Sequence, residues 1–189
     1  RHISISRAKY SIDYPASFML VASMNPCPCG YYNHPTKTCT CGAGVVQKYL
    51  NRISGPLLDR IDIQIEILPV AFNELSSFKK GESSADILAR EIQTRRYADE
   101  PGVYCNAQMN KRLMEKYAVL DGACMSLLSK AMDRFDMSAR CYDRILKVSR
   151  TIADLEGCEE ISPVHVSEAL SYRNLDRSSW GATVQKMPF

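Results

Sequence analysis

The strictest alternation in the chain runs through Ile61-Asp-Ile-Gln-Ile-Glu-Ile67, where every second residue is isoleucine. Successive side chains of an extended segment point to opposite faces, so 61–67 is predicted to be an edge strand with one face covered. Phe18 to Met24 is instead a continuous apolar run. Such a run predicts a strand buried on both faces, as in a parallel sheet covered by helices. His2 to Arg7 alternates polar and apolar, and Tyr10 to Asp13 can pair with it. That predicts a β-hairpin with Arg7, Ala8 and Lys9 at its tip, ended by Pro15.

From Ser84 onward the period becomes helical. The spacing predicts helices near 84–98, 109–117, 121–134, 138–156 and 163–173, and a shorter one over 45–53 before Ser54-Gly55-Pro56. Ser138 and Ser162 suit N-caps, Pro163 a first helical position and Gly157 a C-terminal stop. Pro69 to Ser83 reads as a connector. The organisation is therefore 1–69, a linker over 70–83, a helical domain over 84–176 and a patternless tail over 177–189.

Composition narrows the class. Hydrophobic residues make up 46% of the 189 and charged residues 24%, enough for a core and unlike a disordered tail. The net charge of +3 is too small to argue for nucleic acid without a local basic patch. No run approaches the ~18 apolar residues of a membrane span, and no signal peptide is visible. Arg1 does not look like a natural start, so residues are expected to precede it. Of eight cysteines, Cys105, Cys124, Cys141 and Cys158 are scattered through helical sequence. Buried thiols in a reducing, cytoplasmic compartment are the expectation.

Three segments carry a resemblance: Val21-Ala-Ser-Met-Asn-Pro-Cys-Pro-Cys-Gly30, Tyr49-Leu-Asn-Arg-Ile-Ser-Gly-Pro-Leu-Leu-Asp-Arg-Ile-Asp62, and SARCYDRILKVSRTIADL from Ser138 to Leu155. The run at 81–84 and Ser171 to Asp176 match as well. Together they closely resemble the ComM/YifB family, the magnesium-chelatase-like branch of the AAA+ ATPases, from about Ile3 to Asp176. The resemblance implies an α/β fold: a partial AAA+ P-loop-type sheet, with its sensor-1 and last strands, followed by an all-helical lid. It also implies a cytoplasmic, DNA-acting hexameric motor that hydrolyses ATP with Mg²⁺. A chelatase motor that drives metal insertion with partner subunits is the alternative in the same superfamily. A non-enzymatic, zinc-containing interaction module is the alternative of another class.

The chain departs from the family in one respect. No G-x-x-x-x-G-K-[ST] loop and no Walker-B acid occur in these 189 residues, so alone they are expected to be inactive. The missing P-loop strand would lie between 18–24 and 61–67. Each is then expected to have an unpaired edge, relieved by non-native pairing, by pairing between chains or by partial disorder. Residues 84–173 are expected to form a compact bundle.

Several positions then acquire candidate roles. Asn25 follows the 18–24 strand, where open α/β sheets place ligand chemistry. It matches sensor 1, which orients water near a γ-phosphate; an Asn-Pro turn is the plainer reading. Arg60 matches the arginine finger that acts on a neighbouring subunit's ATP; a surface pair with Asp59 or Asp62 is the alternative. Arg140, in the first turn after Ser138, matches sensor 2 of the lid. An arginine there runs against the helix dipole, which an anion would explain. Arg144 and Lys147 follow on the same face and read as solvated. Arg7 and Lys9 would meet DNA phosphates or simply end a solvated turn.

Cys27, Cys29, Cys39 and Cys41 form two C-x-C pairs separated by nine residues. Four thiolates in one loop suit tetrahedral Zn²⁺, with His34 as a substitute ligand. Unligated thiols packed under a loop are the alternative.

Overall fold

The computed structural model describes residues 2–7, 9–67, 85–135 and 137–173. The expected linker and tail, and the 81–84 run, lie outside the described residues. Within them the chain is mixed α/β and mostly helical, with one two-stranded sheet.

That sheet is the hairpin β1 (His2–Arg7) and β2 (Tyr10–Pro15). The strands are antiparallel, with Ile3 opposite Tyr14, Ile5 opposite Ile12 and Arg7 opposite Tyr10. Both faces are exposed, so cross-strand pairs such as Ser6–Ser11, at 3.0 Å, rather than a core hold it.

The two other expected strands are absent. Phe18 to Met24 is extended but in no ladder, and Phe18, Met19, Leu20 and Val21 are 64–86% exposed. No described strand lies beside the segment, so among the described residues no ladder pairs its backbone and its apolar side chains are left uncovered. Residues 61–67 also lie outside any ladder, and the isoleucine face is not the covered one. Ile63, Ile65 and Ile67 are exposed, whereas Gln64 is buried. The isoleucine face has no covering layer among the described residues. The polar face instead finds hydrogen-bonding partners. Gln64 donates its backbone N–H to the Tyr172 carbonyl at 2.8 Å, and its Nε2 to the Leu58 carbonyl at 3.1 Å.

Six of the remaining helices follow the predicted spacing. They are α1 (Ala43–Leu50), α3 (Ala85–Arg96), α4 (Lys111–Tyr117), α5 (Gly122–Phe135), α6 (Ala139–Leu155) and α7 (Pro163–Ser171), with a single turn, α2 (Gly55–Leu58), after α1. The Ser138 hydroxyl accepts from the Cys141 N–H at 3.3 Å, capping α6. At its other end Gly157 takes φ +71°. There the Cys158 N–H reaches the Ala153 carbonyl at 2.8 Å and the Gly157 N–H reaches Asp154 at 3.2 Å, the closure that a left-handed residue permits. At α7 the Ser162 N–H donates to His165 Nδ1 at 3.0 Å.

α6 is the hub, packed on α3, α4, α7 and the Asn106–Gln108 turn. Leu113, Cys124, Leu128, Cys141, Ile145 and Val166 are fully buried around it. One polar cluster penetrates this core. Asp154, wholly buried, receives two bonds of 2.6 Å from Arg96, one of 2.7 Å from Asn106 Nδ2 and one of 3.0 Å from Arg150 Nε. Arg150 also donates to the carbonyls of Cys158 and Glu159 beyond the helix end. Each buried charge is thereby paired and hydrogen-bonded. Of the scattered cysteines only Cys124 and Cys141 are buried; Cys158 is exposed.

Candidate functional site: a basic cleft and a cysteine cluster

Arg60 is delivered by the α2 turn. Pro56 is the second residue of that turn and buried Leu58 anchors it. The Asp59 N–H closes on the Gly55 carbonyl at 2.9 Å and the Arg60 N–H on Leu57 at 3.0 Å. The Arg60 guanidinium donates to the Pro56 carbonyl at 2.7 Å. The alternative reading of Arg60, a surface pair with Asp59 or Asp62, finds no ion pair among the described residues, and Asp62 is ion-paired with Arg144 instead. Arg144 is therefore not the solvated side chain that its helical position suggested.

That ion pair brings two distant segments together. Asp59 and Arg60 line one cleft with Ala107, Arg140, Asp143, Arg144 and Lys147. Arg140 stands in the first turn of α6, which contains no acidic residue, and makes no hydrogen bond or ion pair among the described residues. The Lys147 ammonium donates to the Ala107 carbonyl at 3.3 Å. Four cations thus face the cleft against the carboxylates of Asp59 and Asp143. The free N–H groups of the α6 terminus add partial positive charge, so the arrangement suits an anion with several oxygens.

The other predicted positions are not in this cleft. Asn25 is exposed at the end of the unpaired 18–24 segment and does not line it. Arg7 and Lys9 are exposed at the hairpin tip.

The cysteine cluster is a separate site. Cys27 Sγ lies 3.3 Å from Cys29 Sγ and 3.7 Å from Cys39 Sγ, with Cys29 and Cys39 3.5 Å apart. All four sulfurs, including Cys41, lie within 4.8 Å of one another and can hold a metal ion. His34 is not among them. Its Nδ1 accepts the N–H groups of Thr36 at 3.2 Å and Lys37 at 3.1 Å, so the loop's own backbone has claimed it. The Tyr31 N–H, followed by contacts with Cys27, Thr40 and Cys39, outweighs burial and brings the Cys29 thiol down to about 5. Cys39 is pushed up to about 12: the Cys41 N–H opposes the rise, and burial with the Cys29 and Cys27 sulfurs outweighs it. Negative charge on one sulfur discourages ionisation of its neighbours, and a cation among them removes that opposition.

Sequence reasoning missed the Asp62–Arg144 pair and the Asp154 cluster. Arg150 and Asp154 stand four apart on one helix, a weak signal for the latter. Nothing local points to the former, whose partners are 82 residues apart.

Two family models match the chain in succession. Residues 1–75 match "Magnesium chelatase, subunit ChlI" and residues 82–173 match "Magnesium chelatase, subunit ChlI C-terminal". The chain is 40% identical over 176 residues to the competence protein ComM of Haemophilus influenzae, covering 93% of this chain and 34% of that protein. It is 40% identical to YifB of Salmonella typhimurium and 37% identical to YifB of Escherichia coli, with the same coverage. The chain thus spans about a third of the length of these curated relatives. Among the described residues no helix is long and apolar enough to cross a membrane. The succession of both models along the chain, with the identity to ComM and YifB, shows that the chain belongs to the ComM/YifB magnesium-chelatase-like family.

Proposed function

We propose that the chain is the nucleotide-sensing part of an ATP-hydrolysing, DNA-acting hexameric motor, and that Arg60 and Arg140 act on one phosphate group. The observation that carries this is their presence in one basic cleft, although Arg60 follows the α2 turn and Arg140 stands on α6.

ATP hydrolysis transfers the γ-phosphoryl group to water. The bond to the bridging oxygen breaks, leaving ADP and inorganic phosphate. Charge accumulates on the leaving and equatorial oxygens. Arg60 would neutralise it with a planar, permanently charged guanidinium, while Arg140 holds the phosphate at the α6 terminus. The ion pair from Arg144 to Asp62 would keep the two arginines in register. Since they share a cleft, a nucleotide that Arg60 contacts from a neighbouring subunit is within the province of Arg140 too. Asn25 would orient the attacking water once its segment is paired in the complete sheet.

The cleft fits the phosphate rather than the metal, because its two carboxylates sit among four cations. Mg²⁺, which shields phosphate oxygens during the transfer, would be held outside these residues. DNA is assigned to the hairpin, whose exposed Arg7 and Lys9 can meet backbone phosphates.

The names of the matching family models favour a second reading, an ATPase subunit of a magnesium chelatase. DNA-stimulated turnover by the full-length protein supports the motor; turnover that requires partner subunits supports the chelatase.

The cleft is tested in the full-length protein. Arg60→Ala is expected to lower kcat by roughly 10³-fold or more while sparing ATP binding. Mixing it with subunits that lack a working phosphate loop should restore part of the activity, because one mixed interface is intact. Unchanged turnover in both Arg60→Ala and Arg140→Ala would overturn the assignment. The 189-residue chain alone should hydrolyse no ATP.

A further inference from the structure

We propose that Cys27, Cys29, Cys39 and Cys41 bind one structural Zn²⁺ ion, and that this ion holds the 27–41 loop against α1. A tetrahedral ion with metal–sulfur bonds of about 2.3 Å places its sulfurs about 3.8 Å apart. The three resolved sulfur separations are 3.3, 3.5 and 3.7 Å. The four thiols thus already stand nearly at the corners of a metal-sized tetrahedron.

The donor set narrows the metal. Four sulfurs select zinc or an iron–sulfur cluster over calcium, magnesium or manganese. A cluster of two or more irons spreads its ligands over different metal atoms. Here all four sulfurs lie within 4.8 Å of one another, which suits a single ion. Among the described residues the group holds these four sulfurs and no fifth ligand, which suits zinc in a closed, four-coordinate, redox-inert site.

The surrounding structure needs such an ion. Among the described residues Cys27, Val46 and Leu50 are the buried members of the apolar cluster under the loop, and Tyr32, Tyr49 and the other three cysteines are partly buried against them. Three side chains are a small core for a loop of this length, and small units commonly add a metal for that reason. The loop's turns are also built for ligation. Gly30, at φ +81°, lets its N–H close on the Cys27 carbonyl at 3.0 Å, which folds Cys29 back beside Cys27. Binding is an exchange: each coordinating thiol gives up its proton to solvent and no electron moves. The ion would fix the loop between Asn25 and the α1–α2 segment that delivers Arg60.

The test uses the whole 189-residue chain, purified under reducing conditions without chelator. Elemental analysis is expected to find about one zinc per chain. The four cluster thiols should resist alkylation until a chelator is added, while exposed Cys158 reacts at once. Replacing zinc with cobalt should give the intense visible bands of a tetrahedral thiolate site, a readout that requires no variant. Cys27→Ser with Cys39→Ser should abolish the zinc, and Cys105→Ser with Cys158→Ser should keep it. Iron in place of zinc, no metal with all thiols reactive, or zinc that survives loss of Cys27 and Cys39 would each overturn the proposal. None of these outcomes depends on whether the protein hydrolyses ATP.

Discussion

Arg144 on α6 is ion-paired with Asp62, 82 residues away in sequence. Together with the bonds from Arg173 to the Ile61 carbonyl and from the Gln64 N–H to Tyr172, it clamps residues 61–64 onto the helical part. Arg60, at the head of that stretch, is consequently set beside Arg140.

The clamp should affect position more than stability. Both side chains keep a third or more of their exposure, so solvent screens the attraction. A double-mutant cycle of Arg144→Ala with Asp62→Ala is expected to give a coupling of about 1 kcal/mol or less. Amide exchange over 60–64 should nevertheless accelerate in either variant. Unchanged exchange there would show that the hydrogen bonds alone hold the segment.

The Asp154 cluster should behave in the opposite way. Removing its carboxylate strands Arg150, which is 2% exposed, and most of the Arg96 charge in the core. Asp154→Ala is expected to cost about 3–5 kcal/mol, read by urea unfolding. A cost below about 1 kcal/mol would mean that water reaches the site.

Asp121 predicts an acid-sensitive cap. Its carboxylate accepts the Cys124 N–H at 2.7 Å, which holds its pKa below the usual range. A depressed carboxylate contributes stability above its unfolded value and loses it as pH falls through the folded one. Asp121→Ala should therefore lower Tm near neutral pH. The difference from the parent should shrink below about pH 3.9 and vanish further down. A pH-independent difference would contradict the cap.

The 18–24 segment predicts stickiness without instability. Met19 is 86% and Val21 81% exposed, so Met19→Lys with Val21→Lys removes no packing within the chain. Stability should stay within about 0.5 kcal/mol, while binding of an apolar dye and self-association fall. A large loss of stability would mean that the segment is covered in solution.

The helices after residue 84 were legible in the sequence because their caps and apolar spacing are local. Ser138, Gly157 and Pro163 act within a few residues of themselves, and the 3.6-residue period of α6 needs only its own side chains to be read. The C-x-C pairs were legible for the same reason. The apolar pattern of 18–24 and 61–67 identified sequence suited to strands, but a strand exists only through hydrogen bonds to another strand. With no described neighbour, one segment stays bare and the other turns its glutamine inward. The meeting of Arg60 with Arg140, and the claim of Arg144 on Asp62, belong to tertiary structure alone. They depend on how a turn near residue 58 docks against a helix that begins at residue 139, and no local period encodes that distance.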